Sequence, residues 1–168
     1  MPQDDLGWPD IACVTYNGQI TTRYHLDFGE DNDSGLVSNY PPSVAGCPIY
    51  PIFVSKVDED GNEVVGVRLP EVEAPVATTT GWALRRACFS ENEGCESNGQ
   101  HIPFAVTKAG RTASGDPRLS LEERYKNHDG YVQAVTKAAR KLGKRRFLLP
   151  ADVHQYIEDA QASDVLNP

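Results

Sequence analysis

Residues 50–82 read YPIFVSKVDEDGNEVVGVRLPEVEAPVATTTGW, and they set the first constraint on the architecture. Ile52, Val54 and Val57, with Ile49 just before, sit among aromatic and β-branched neighbours, the side chains that suit a pleated surface. A second β-rich run, EVVGVRL, follows at residues 63–69. Between them lies Asp60-Gly61, and both residue types tolerate positive φ. The pattern predicts a hairpin with strands near 50–57 and 63–68. The string Asp58-Glu59-Asp60-Gly61-Asn62 also resembles part of a calcium loop. A full loop needs a further spaced carboxylate and flanking helices, which the sequence lacks, so a turn is expected and no metal. Pro70 and Pro75 then break the chain. Thr78, Thr79, Thr80 and Gly81 lead into Trp82, a string suited to close approach of backbone to another surface under an indole. Thr80, Gly81 and Trp82 are the candidate loop, on the substrate side or in domain packing. Packing is the commoner use of such an aromatic anchor.

Outward toward the C-terminus, the period changes. From residue 107 the pattern is helical. Ser120-Leu121-Glu122-Glu123 is a capping box. A second helix starts after Asn127 or His128, with Tyr131, Val132, Val135, Ala138, Ala139 and Leu142 on one stripe. Lys137, Arg140, Lys141, Lys144, Arg145 and Arg146 gather toward its end, where cations favour the helix dipole. Pro150 opens a third helix, with Val153, Tyr156, Ile157 and Ala160 facing inward. Toward the N-terminus, residues 1–47 are polar and loop-like, and PPSVAGCP near Pro41 reads as extended or polyproline-like chain. The organisation expected is a loop-rich segment over 1–47, a β-hairpin with proline-rich loops over 48–106, and C-terminal helices over 107–168, all one partial domain. The fold class is α+β, with one hairpin and three C-terminal helices.

The bulk properties are consistent with a folded chain that needs a surface to pack on. Apolar residues make up 39% of 168, while 12 prolines and 14 glycines interrupt the first two thirds. Long irregular stretches seldom build a core of their own. Sixteen basic against 24 acidic residues give a net charge of −8. That balance repels phosphate backbones and disfavours nucleic acid or anionic membranes as partners. The basic end of the second helix is then a solvated face. No apolar run approaches the ~18 residues of a membrane span. MPQDDLGWPD has neither a basic n-region nor an apolar h-region, and the compartment stays open.

The chemistry-bearing residues form no complete site. None of Ser34, Ser38, Ser43, Ser55, Ser90, Ser97, Ser114, Ser120 or Ser163 lies in G-x-S-x-G, and no phosphate-binding glycine loop occurs. His25, His101, His128 and His154 show neither zinc-ligand spacing nor an evident nucleophile partner. His128 reads as a helix-start residue and His154 as exposed. Glu71 and Glu73 would share a face on a strand. The expected catalytic set, metal set and cofactor set are therefore each none. Cys13, Cys47, Cys88 and Cys95 contain no C-x-x-C pair. Cys88 and Cys95 flank FSENEG, a polar turn that a disulfide could close, with free thiols the other reading.

The ordered strings also carry a resemblance. Asp60-Gly61-Asn62, VRLPEV at 67–72, PVATTTGW at 75–82, IPF at 102–104, TKAGR at 107–111, SGDPR at 114–118 and SLEERY at 120–125 resemble the C-terminal signature of the alpha/beta hydrolase domain family. Tyr16-Asn17-Gly18 and Asp27-Phe28-Gly29 extend the likeness to roughly residues 14–166. Thr79 and Ala83 stand where the family often has an aromatic residue and Asn, and the 88–101 loop varies among relatives. The resemblance implies the C-terminal accessory part of a serine ester hydrolase, whose serine elbow, and with it the catalytic histidine, lies upstream. It implies an upstream hydrolase domain as partner and a chain inactive by itself. The alternative is an autonomous binding module derived from such a tail.

Overall fold

The helical third forms where its periodicity and caps require. The computed structural model describes residues 6–11, 14, 24–49, 53–85, 94–95 and 99–167. Helix α1 spans Pro70–Glu73, α2 Lys108–Ser114, α3 Leu121–Tyr125, α4 His128–Lys144 and α5 Pro150–Ala162. Asn127 caps α4 by accepting the Gly130 amide at 2.9 Å. A Cβ on Gly130 would overlap the Tyr125 carbonyl oxygen, so only glycine fits where α3 turns into α4. Val135, Ala138, Ala139 and Leu142 are buried along the predicted stripe. Tyr131, Val132 and Tyr156 pack around Ala74, Val135 and Ala160, where α1, α4 and α5 meet. Full burial of a Val or Leu side chain favours this packing by about 1.5–3 kcal/mol each. The α5 start follows Pro150 at the first turn, and the Asp152 carboxylate accepts the Leu149 amide at 3.2 Å. The three expected C-terminal helices are α3, α4 and α5. The short α2 precedes them, capped by the Thr107 hydroxyl and closed by Gly115 at φ 70°.

The strands are short and antiparallel. Strand β1 is Tyr24–Asp27, β2 Ser43–Ile49, β3 Ala77–Thr80, β4 Ala83–Leu84, β5 Gly94–Cys95 and β6 Gln100–Pro103. Among the described residues they pair as three two-stranded ladders, β1 with β2, β3 with β6 and β4 with β5. The β1–β2 ladder corrects the expectation that residues 1–47 are loops. The Phe28 carbonyl accepts both the Ser38 and Asn39 amides, which folds the chain back on itself. Tyr24-His25-Leu26-Asp27 has only weak alternation, and PPSVAGCP carries the composition of polyproline, so neither announces a ladder.

The expected hairpin turn is present at residues 58–62. Val57 and Glu63 form an antiparallel bridge, and Gly61 takes φ 81°. Among the described residues the pairing between the expected strands, 50–57 and 63–68, is this single bridge, with residues 50–52 outside the described residues. The Asp58 carboxylate accepts the Asp60 and Asn62 amides at 3.0 Å each and tightens the turn. Val64, Val65, Val67 and Leu69 leave the bridge exposed.

Candidate functional site

The family-like strings converge on one buried polar clasp. Asn62 is fully buried, its side-chain amide donating to the Ala77 carbonyl at 3.1 Å and its oxygen accepting the Thr79 amide at 2.8 Å. Those two bonds fasten the turn at 58–62 to strand β3. Thr78, also fully buried, donates its hydroxyl to the Asp60 carbonyl and accepts from Arg118 Nη1 at 2.8 Å. Arg118 further donates to the Ile102 carbonyl at 3.0 Å and the Pro103 carbonyl at 3.3 Å, both on β6. Its Nε and Nη2 meet the two Asp116 oxygens at 2.9 and 2.6 Å, a bidentate fork. Arg124 makes a second bidentate pair with Asp60. The Phe104 ring lies under both guanidinium groups, 5.0 Å from Arg118 and 4.3 Å from Arg124. The aromatic face attracts both cations and shields them from water.

The helix that carries Arg124 is locked from its start. Ser120 and Glu123 form the predicted capping box, and Arg111 pairs with Glu123 at 2.8 Å. Hydrogen bonds from the Ser120 amide and hydroxyl, then Arg111, hold the Glu123 carboxyl down to about 2 from its ordinary 4.5. Burial raises the Asp116 carboxyl, but the Arg118 hydrogen bonds and charge outweigh it and leave the value lowered. Tyr125, whose hydroxyl donates to the Pro75 carbonyl at 2.8 Å, is pushed up by burial.

Glu123 fixes the sign of one pH dependence. Its folded-state value lies below its unfolded one, so its contribution is fully present above about pH 4.5 and is lost as pH falls toward about 2. The expected result is a urea midpoint that drops across that window by more in the native chain than in Glu123→Gln. Equal acid sensitivity of the two proteins would remove Glu123 from the account.

The turn and β3 also wall a cavity of about 240 Å³. Leu6, Phe53, Val57, Gly61, Thr80 and Trp82 line it, with Glu63 and Ser55 adding polar groups. Thr80 is buried and its hydroxyl donates to the Trp82 carbonyl, Gly81 is exposed, and Trp82 is half-buried. The Trp82 ring packs on Trp8 at 5.1 Å between centroids, tilted by 56°. This geometry places the candidate loop against an apolar wall with one carboxylate at hand.

The other sequence candidates are dispersed. His101 is exposed on β6, paired in register with Thr79. His128 opens α4, its ring nitrogens 2.9 Å from the Val165 carbonyl and 3.3 Å from that of Gln161. His154 is exposed on α5, 3.3 Å from Glu158. Cys88 and the side chains of His25 and Cys95 lie outside the described residues, and with them the expected Cys88–Cys95 pair. The hydroxyls of Ser34, Ser114, Ser120 and Ser163 all bond within their own turns, to Asp31, Arg111, Glu123 and Ala160. Among the described residues, no hydrogen bond joins a serine to a histidine, and no three His, Cys, Asp or Glu side chains gather to hold a metal ion. No described helix is long and apolar enough to cross a membrane. Glu71 and Glu73 lie on α1 rather than on a strand, so they point to different sides.

Sequence reasoning missed the buried roles of Asp60, Asn62, Arg118 and Arg124. The available signal was the density of charged residues inside the family-like strings. No curated protein and no solved structure gives a significant match to the chain. The alpha/beta hydrolase domain family matches residues 19–158, more than four fifths of the chain, and the clasp lies wholly within that span. The chain therefore belongs to the alpha/beta hydrolase domain family.

Proposed function

We propose that the chain is the C-terminal accessory part of a serine ester hydrolase and packs on a catalytic domain that precedes it in the parent protein. The observation that carries this reading is the combination of family membership with nine serines, none in a G-x-S-x-G elbow. Hydrolysis would then use a serine nucleophile and a histidine base from that upstream domain. Exposed apolar side chains support a docked state. Phe53 is 72% exposed, and Val64, Val65, Val67 and Leu69 follow on the same turn-flanking segment. Phe53 lines the cavity of Thr80 and Trp82, so the Thr80-Gly81-Trp82 loop lies at the proposed interface and forms one side of the substrate cleft.

A second reading is an autonomous, non-catalytic binding module. It is favoured by the clasp, whose buried arginines are paired without help from another chain.

The chain alone is expected to release no p-nitrophenol from short-chain p-nitrophenyl esters. Joined to a family catalytic domain bearing the serine elbow, it should support turnover and melt with that domain as one unit. Saturable turnover by the lone chain, abolished by a serine-directed inhibitor, would overturn the accessory reading. A sharp two-state melt of the lone chain, with no change on adding the domain, would promote the binding module.

A further inference from the structure

Two residues along a helix turn a side chain by about 200°, so α1 sends Glu71 and Glu73 to different neighbours. Glu73 takes the cations, Lys141 at 2.7 Å and Arg68 at 3.6 Å. Glu71 enters a cleft of about 190 Å³ where α1, α4 and α5 meet. Pro70, Tyr131, Val135, Tyr156 and Asp159 complete most of its wall. The Tyr156 hydroxyl donates to Glu71 at 2.9 Å, and the Gln155 amide donates to Asp159 at 2.7 Å. Both carboxylates thus receive neutral donors, and among the described residues neither pairs with a Lys or Arg. Burial raises both phenols, Tyr156 to about 12 with the Glu71 hydrogen bond and then its charge adding to it, and Tyr131 in the same direction with the Glu71 charge adding. The two neutral rings thus lie beside two carboxylates that have no Lys or Arg partner among the described residues.

We propose that this cleft binds a small organic ammonium ion of the quaternary or methylated-amine class. A cation of this kind is attracted to aromatic faces and to carboxylates together. Its methyl groups suit Pro70 and Val135, whereas a strongly hydrated primary ammonium would lose more on leaving water. The volume is below the ~300 Å³ of drug-sized sites, which limits the ligand to a small one. A hard metal ion fits poorly, because the cleft offers two carboxylates and no third acidic, His or Cys ligand among the described residues. This inference is independent of the ester-hydrolase reading, since the cleft uses none of the residues around Thr80 and Trp82.

A proton NMR titration of the full chain with choline chloride tests it. Sodium chloride at equal ionic strength and 3,3-dimethyl-1-butanol, the neutral isostere of choline, serve as controls. Choline up to about 50 mM should shift the ring signals of Tyr131 and Tyr156 along a saturating curve, and the isostere should not. Glu71→Gln and Asp159→Asn, both at exposed positions, should each weaken binding by about fivefold or more. Three results would each overturn the proposal: no saturable shift, an equal response to the neutral isostere, or unchanged affinity in both carboxylate variants.

Discussion

Replacing Arg118 with Met is expected to lower the free energy of unfolding by about 3–5 kcal/mol, the cost of leaving a buried charge without its partner. Arg118 is 3% exposed and reaches four separate groups, the Asp116 carboxylate, the Thr78 hydroxyl and the Ile102 and Pro103 carbonyls. Methionine fills much of the same space over Phe104 but donates nothing. The Asp116 carboxylate then keeps its burial and loses its cation, and two strand carbonyls lose donors. Arg118→Lys preserves the charge, yet a single ammonium has no planar fork to hold both Asp116 oxygens while also reaching β6. Lysine should therefore recover less than half of the loss. Urea unfolding followed by far-ultraviolet dichroism gives the comparison, provided the slopes match. A Met variant within about 1 kcal/mol of the native chain would show that the clasp is not a principal support.

The sequence showed the local parts of this fold and concealed the long-range ones. Helix α4 was legible because its stripe of Val135, Ala138, Ala139 and Leu142 repeats at the helical period, and α3 because Ser120 and Glu123 are three residues apart. The turn at 58–62 was legible because Asp-Gly fixes backbone conformation locally. Partners in the clasp are far apart in sequence, Thr78 and Arg118 by 40 residues, Asp60 and Arg124 by 64. No periodicity links such positions. Asp and Arg are ordinarily solvent-facing, so their burial has no compositional sign. Glu71 and Glu73 show the same limit from the other side. Their spacing suggested a shared face only if the segment were a strand, and the one-turn helix α1 between Leu69 and Ala74 was too short to announce itself. The candidate loop was legible as an aromatic anchor, but its neighbours Leu6 and Trp8 come from a segment with no motif of its own, and Phe53 was legible only as part of a strand.

The Asp60–Arg124 pair should show the strongest energetic coupling in the chain. Asp60 is 6% exposed, and among the described residues its carboxylate bonds only to Arg124, while its backbone carbonyl accepts from Thr78. Asp60→Asn leaves a guanidinium over Phe104 without its anion, and Arg124→Met leaves a buried carboxylate without its cation. Each single change is expected to cost about 2–4 kcal/mol. The double variant removes both charges together, so its cost should fall short of the sum by about 1–3 kcal/mol. The pair also bears on the cavity, because Asp60 adjoins Gly61, which packs closely under Trp8 and Thr78. A Cβ on Gly61 would meet Thr78 Cγ2 at 2.9 Å and Trp8 Cζ3 at 3.1 Å. Loosening the turn should therefore disturb the Trp8–Trp82 contact before the distant helices α4 and α5 respond. Indole emission should shift to the red in either single variant at urea concentrations where helical dichroism is still native. In the double variant much of that shift should be restored. Additive costs, or emission and dichroism changing in step in every variant, would show that the turn and the helices do not depend on this pair as separate, coupled parts.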